Sequence, residues 1–207
     1  MSRECVDDWN KEASFVVGSI PRRSTSSLAP FGAQMSCDIE KLIRAERWVD
    51  ARQLIRRELR SKPNDHWLLT RLGLTYYEQR RYKQALRLSE RAFSVAPTCP
   101  LVLWDYAGCL EMLDRNSEAA DIYQRLVRRG PKRIALGPCG EGLSLARGLV
   151  ADCHLRLANV FETMGRGAES IAEFDKHLDM RGPGCRSIYP LKTLQKKIHR
   201  ARTHAGV

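Results

Sequence analysis

The 207-residue chain has no run approaching the roughly 20 apolar residues that a membrane helix needs. The stretch between Arg91 and Asp105 is free of charge, but Pro97 and Pro100 interrupt it. No apolar core follows the N-terminus, where Glu4, Asp7, Asp8 and Glu12 sit instead, which argues against a secretory signal. No C-x-x-C pair occurs among the seven cysteines, Cys5, Cys37, Cys99, Cys109, Cys139, Cys153 and Cys185, and their spacings fit no zinc pattern. Several lie among apolar residues, where a free thiol acts as a small hydrophobe. A reduced, cytoplasmic protein without metal or cofactor is expected. Acidic residues are missing from 184–207, which hold 6 positive charges and none negative. The net charge of +11 excludes an acidic solvating chain and leaves an acidic or polyanionic partner open.

Catalytic frames are also missing. There is no G-x-S-x-G, no H-E-x-x-H and no pair of carboxylates in a recognisable frame. The loop Gly137-Pro138-Cys139-Gly140-Glu141-Gly142 precedes a helical pattern, where backbone N–H groups can hold an anion. No Gly-Lys-Ser/Thr follows it, however, and Glu141 would repel the anion. An enzyme would have to use Cys139 or His154, two residues in no recognisable pattern. The expectation is no catalytic residue.

What the sequence has is a core and a period. Apolar residues are 43% and charged residues 29%, enough for a folded domain. Residues 1–34 lack periodic hydrophobicity and read as a flexible leader, with Gly18–Ser27 rich in Ser and Arg. An amphipathic pattern opens soon after Met35, so Met1 and Met35 are both open as start codons. From there, four columns step by 34: Pro63, Pro97 and Pro131; Ala51, Ala85 and Ala119; Arg47, Arg81 and Arg115; Arg57, Arg91 and Arg125.

A 34-residue unit with a turn and a terminal proline is one helix pair. In 66–99 the first helix carries Leu69, Leu72, Gly73 and Tyr76 at helical spacing. A turn falls near Arg80–Arg81, and the second helix carries Ala85, Leu86, Ala92 and Phe93 before Pro97 stops it. Gly73, Ala85 and Ala92 are expected to let the two backbones approach closely. Asn116 is expected to cap the second helix of the next unit.

The pattern resembles the tetratricopeptide repeat, W-x2-L-G-x2-Y, then A-x3-F, then P. The best match is Leu69-x2-Leu72-Gly73-x2-Tyr76, then Ala85-x3-Ser89, then Pro97, with Leu69 and Ser89 in place of the family Trp and Phe. The next unit reads Leu103-x2-Tyr106-Ala107-x2-Leu110, then Ala119-x3-Tyr123, then Pro131. The preceding unit keeps Ala51-x3-Ile55 and Pro63. A fourth reads His154-x2-Leu157-Ala158-x2-Phe161, then Ser170-x3-Phe174, then Gly182-Pro183. The expected organisation is a leader (1–34), a repeat domain (35–183), and a basic capping helix and tail (184–207). The units fall at about 35–65, 66–99, 100–131 and 151–183, with an insert at 132–150. From Leu143 the insert runs into one long helix, with about two extra turns ahead of the repeat proper.

The resemblance implies an all-α, right-handed solenoid of antiparallel helix pairs, whose concave groove is lined by the first helix of each unit. Residues off the buried Leu72/Gly73/Tyr76 face would look into it: Trp67, Thr70, Arg71, Leu74 and Tyr77, then Trp104 and Asp105. Some family members clamp a C-terminal carboxylate with Lys and Asn on these helices. Thr70, Leu74 and Asp105 stand at those places here, which disfavours such a clamp.

The function expected is a non-catalytic scaffold that binds a protein or peptide in the groove, with aromatic anchors. The alternative is a nucleic-acid or polyanion binder using Arg57, Arg91, Arg125 and the tail residues Lys196, Lys197 and Arg200. A solvated arginine face with weak salt bridges to Glu58, Glu90 and Asp121 is the plainer reading of those columns. A cationic end cap is favoured for the tail, since Tyr189 is the only aromatic after Phe174.

Overall fold

A computed structural model describes residues 30–191, with side chains from Met35 onward. Among the described residues there are eight α-helices and no strand. The chain divides into two compact units, residues 1–95 and 96–207.

The first unit contains α1 (Pro30–Arg44), α2 (Trp48–Ser61), α3 (His66–Tyr77) and α4 (Tyr82–Val95). Helix α1 begins upstream of the expected domain boundary at 35. Residues 1–29 of the expected leader lie outside the described residues. Each helix packs on its neighbours in sequence. Asp65 starts α3, its carboxylate accepting from the N–H groups of Trp67 (3.1 Å) and Leu68 (3.2 Å), two donors that the helix itself leaves unsatisfied. Helices α2 and α4 are amphipathic and bury Ala51, Ile55, Ala85 and Ala92 completely. In contrast, α3 is buried on every side from Trp67 to Tyr76.

The second unit contains α5 (Pro100–Glu111), α6 (Asn116–Leu136), α7 (Leu143–Thr163) and α8 (Gly167–Met180). Asn116 is the first helical residue of α6 rather than its cap. Arg115 holds the cap position, without a side-chain cap bond. Pro131 ends the regular run of α6 as the repeat requires: Gly130 turns out of helical geometry (φ 71°, ψ 160°), and a short helical stretch then runs on to Leu136. Residues 137–142 are not helical, and α7 starts at Leu143, as the apolar spacing implies. Like α3, α7 is buried all round, from Val150 to Phe161. The chain leaves α8 through turns at 182–184, and 184–190 are not helical, contrary to the capping helix expected from 184. The rest of that helix, with Lys196, Lys197 and Arg200, lies outside the described residues.

The repeat is written in the turns. Each reversal within a helix pair passes through a residue in the left-handed region: Glu46 (φ 54°), Arg80 (57°), Asp114 (60°) and Gly165 (74°). The first three keep the 34-residue step, and the fourth is displaced by the insert. An arginine follows each, and it explains the first arginine column. Arg47 Nε donates to Asp50 (2.8 Å) and Arg115 Nε to Glu118 (2.7 Å), while Arg166 is paired with Glu169. These carboxylates sit in the first turn of a helix, where its dipole favours negative charge. The guanidinium bonds hold the Glu118 and Glu169 carboxyls below their ordinary range. Arg81 lacks such a partner three residues on and lies over the Tyr76 ring instead, 5.0 Å from its centroid.

Candidate functional site

The first helices α3, α5 and α7 are the ones expected to face a partner. On α3 the expected groove residues are mostly inside. Thr70 and Arg71 have 1% and 0% of their surface exposed, and Trp67 and Leu74 are buried too. The cause is a charge pair. Arg71 Nε lies 3.1 Å from Glu40 Oε1 on α1, and its guanidinium stacks over Trp67, 5.6 Å from the ring centroid. A guanidinium enters a protein interior only with a partner, and Glu40 supplies it. Tyr77 alone of the α3 set stays half-exposed, edge-on to Tyr82 at 5.3 Å. On α5, Trp104 is 9% exposed and packs edge-on against Tyr123 (5.7 Å), which places it with the core rather than with an open groove. Asp105 and its neighbour Leu101 are half-exposed.

The second arginine column also has a structural employment. Arg91 Nη2 donates to the Pro63 carbonyl (2.6 Å) and Arg125 Nη2 to the Pro97 carbonyl (3.4 Å), the same 28-residue reach in both units. Neither takes up Glu90 or Asp121 in these bonds. Each arginine ties a second helix to the proline that ended the preceding repeat, so the two columns share a period because they share a bond. Arg57 meets Met35 Sδ (3.9 Å) and Glu58 (3.5 Å). All three keep exposed surface. A shallow groove of about 660 Å³ in the first unit gathers Arg47, Arg56, Arg57 and Arg60 with Gln53 and Asp50, the partner of Arg47, around Leu42 and Leu54.

The two residues weighed for catalysis go to different partners. The His154 ring N–H donates from Nδ1 to Glu173 Oε2 on α8 at 2.6 Å. The Cys139 thiol lies within 4.8 Å of the Cys99 thiol. Burial pushes Cys99 up to about 12, leaving it a poor nucleophile. Cys37, Cys99, Cys109, Cys139, Cys153 and Cys185 are all free thiols.

A polar ladder on α7 was not singled out by the sequence. Ser144, Gly148, Asp152 and Arg156 recur every fourth residue and so share one face. The chain's own residues 186–189 lie along it. Arg186 N–H donates to the Ser144 carbonyl (3.2 Å). At Gly148 the backbones come so close that a Cβ would overlap the Arg186 carbonyl. The Asp152 carboxylate accepts from Ser187 Oγ–H and from Ile188 N–H (3.0 Å). Arg156 Nη1 donates to Tyr189 Oη (3.3 Å), while its Nε donates to Glu111 Oε2 (2.8 Å) and Tyr123 Oη (3.2 Å). Arg181 closes the segment by donating to the Tyr189 carbonyl (2.8 Å). Burial pushes the Asp152 carboxyl up to about 7 and the Tyr189 hydroxyl up to about 12, each against the pull of nearby arginine. The signal in the sequence was two charges, Asp152 and Arg156, four apart inside an apolar run.

Paired helices joined by left-handed turns at a 34-residue step define a helical-repeat protein. Residues 70–134 match the family model of the tetratricopeptide repeat, and that stretch of the chain is tetratricopeptide repeat. No curated protein matches it by sequence. Among solved structures, a crystal structure of MamA superposes with TM-score 0.60 at 20% identity, covering 81% of this chain and 84% of that one. A second MamA crystal structure gives 0.55 at 17% identity, with coverage of 93% and 90%. The MamA RS-1 ArsTM double mutant gives 0.58 at 13%, with 75% and 78%. At these identities the likeness is one of fold. Among the described residues no helix is long and apolar enough to cross a membrane.

Proposed function

We propose that this chain is a non-catalytic scaffold that holds a protein or peptide partner against the first helices of its repeats. The observation that carries the reading is the way those helices are covered. Packing buries α3 from Trp67 to Tyr76 and leaves Tyr77 half-open at its end, while α5 keeps a half-open strip of Leu101 and Asp105. A rigid helix with one open strip is a surface for one more element. The free thiols fit a reducing, cytoplasmic setting. The test compares proteins retained from source lysate by the wild type and by a Leu101→Asp, Asp105→Lys variant. The variant is expected to lose the retained partner while melting within about 4 °C of the wild type. Equal retention by both would overturn the reading.

The arginine groove of the first unit favours a second reading, a polyanion contact. In that case binding of a single-stranded oligonucleotide falls steeply with salt, and Arg57→Glu with Arg60→Glu abolishes it. Retention of the oligonucleotide by that variant would remove this reading.

A further inference from the structure

The segment Arg186–Tyr189 is seated on α7 as a bound peptide would be. It is non-helical and folds back at its end, Tyr189 N–H donating to Ser187 Oγ (3.1 Å), it crosses the helix where only glycine allows the approach, and the Ser187 hydroxyl, the Ile188 N–H and the Tyr189 hydroxyl each meet a polar group of the helix. Simple cover for an apolar helix needs no such ladder. Asp152 is 2% exposed and Arg156 4%, within a run that is otherwise apolar or small except for His154 and Asn159. Both charges lose their water whether or not the segment is well matched, and only a hydroxyl, an N–H and a phenol at the right spacing give hydrogen bonds back. Burial of this kind serves recognition, because a wrong sequence leaves a desolvated charge unsatisfied.

We infer that the Ser144–Gly148–Asp152–Arg156 face of α7 is a receptor for a non-helical Ser/Thr-X-Tyr segment, and that residues 186–189 are its resident occupant, displaced by a partner carrying that sequence. The hydroxyl of the first residue and the N–H of the second go to Asp152. The tyrosine hydroxyl goes to Arg156, which Glu111 and Tyr123 hold in place. Gly148 sets the depth at which the peptide backbone lies. Because the resident segment is tethered, it competes at an effective concentration on the order of millimolar, and the wild-type chain takes up a free peptide weakly. The inference rests on the reading of the first helices as a partner surface and gives that surface a sequence preference.

The probe is a fluorescein-labelled peptide of residues 183–191, followed by anisotropy on the full chain. A Ser187→Ala, Tyr189→Ala variant removes the two side-chain bonds that seat the resident segment and leaves the residues of α7 unchanged, and it is expected to bind the probe at least tenfold more tightly than the wild type. Adding Gly148→Ala or Asp152→Ala to that variant removes the binding, as does replacing the probe's serine by alanine. Absence of saturable binding to the folded double variant, or binding that survives Gly148→Ala, overturns the inference. Should the double variant fail to fold, a sequence-specific protease site placed at Gly182–Gly184 allows the native chain to be cut. Exchange of the severed segment for labelled probe supports the receptor. Unfolding on cutting, or failure to take up label, overturns it. A lysate partner lost on changing Leu101 and Asp105, together with no probe binding, would end this inference and leave the scaffold reading standing.

Discussion

Arg71 and Arg156 occupy matching places in their repeats, two residues after Leu69 and His154, and both are buried beside a glutamate of the preceding first helix, Glu40 or Glu111. In the sequence each looks like a surface charge. Burial raises the Glu40 carboxyl although Arg71 and Arg44 pull it down, a sign that desolvation outweighs the pairing. Trp104 follows the same logic of position. With 9% of its surface exposed and Tyr123 at its edge, Trp104→Ala is expected to destabilise the chain by about 3–5 kcal/mol in urea unfolding, through the cavity it leaves. Two other residues respond to pH with opposite sign. Asp152 titrates near 7 in the fold and near 3.8 when exposed. The native state therefore holds a proton that the unfolded chain has lost, and this contribution to stability is full below about pH 4 and fades as pH rises through 7. His177 is pushed down to about 4 from 6.5 by burial, with its Nδ1–H on the Ala151 carbonyl at 2.7 Å. Its contribution is full above pH 6.5 and fades as pH falls through 4. Between pH 4 and 7 the two contributions oppose one another, so the slope of the urea midpoint against pH is expected to become more positive than the wild type's in Asp152→Asn and more negative in His177→Gln.

At the scale of the element, the helix pair is set by its turn and its small residues. Gly73 lies against α4 as its place in the motif implies, but a Cβ there would meet Leu88 Cβ at 3.6 Å and the Ala85 carbonyl at 3.7 Å, ordinary contacts. Close approach therefore does not demand glycine at 73. Gly73→Ala is expected to stabilise the chain by about 0.5–1 kcal/mol, from the helix propensity gained without strain, as a rise in the urea midpoint. Gly148 is the contrasting case, since its missing side chain is the space that the Arg186 backbone fills. The two glycines look alike in sequence, each inside a run of apolar residues at helical spacing. Only the neighbour that arrives from elsewhere in the chain separates them.

Across the whole molecule, stability is expected to follow burial helix by helix. Helix α7 hides fourteen residues, from Ala146 to Phe161, whereas α2 hides only Ala51, Arg52 and Ile55 and α8 only Ser170, Phe174 and His177. In stacks of this kind each element is held mainly by its neighbours, so thinly covered helices open first. Hydrogen exchange is expected to be slowest in the amides of α7 and fastest, among the helices from α2 to α8, in α2 and α8. The reverse order would show that side-chain burial does not set local opening here.

The 34-residue columns, the helix pairs, the break after Pro131 and the long helix from Leu143 were all determined by the sequence itself. Each follows from contacts between residues less than one repeat apart, and periodic spacing records those directly. Tertiary structure decided which charged residues turn inward. Arg71 needed Glu40 and Arg156 needed Glu111, partners in another repeat that no local pattern announces. It also decided that residues 186–189 lie on α7 as a non-helical segment rather than opening a capping helix. That arrangement depends on a glycine gap and a buried carboxylate more than thirty residues earlier in the chain, and a hydrophobic period cannot encode a meeting between segments so far apart.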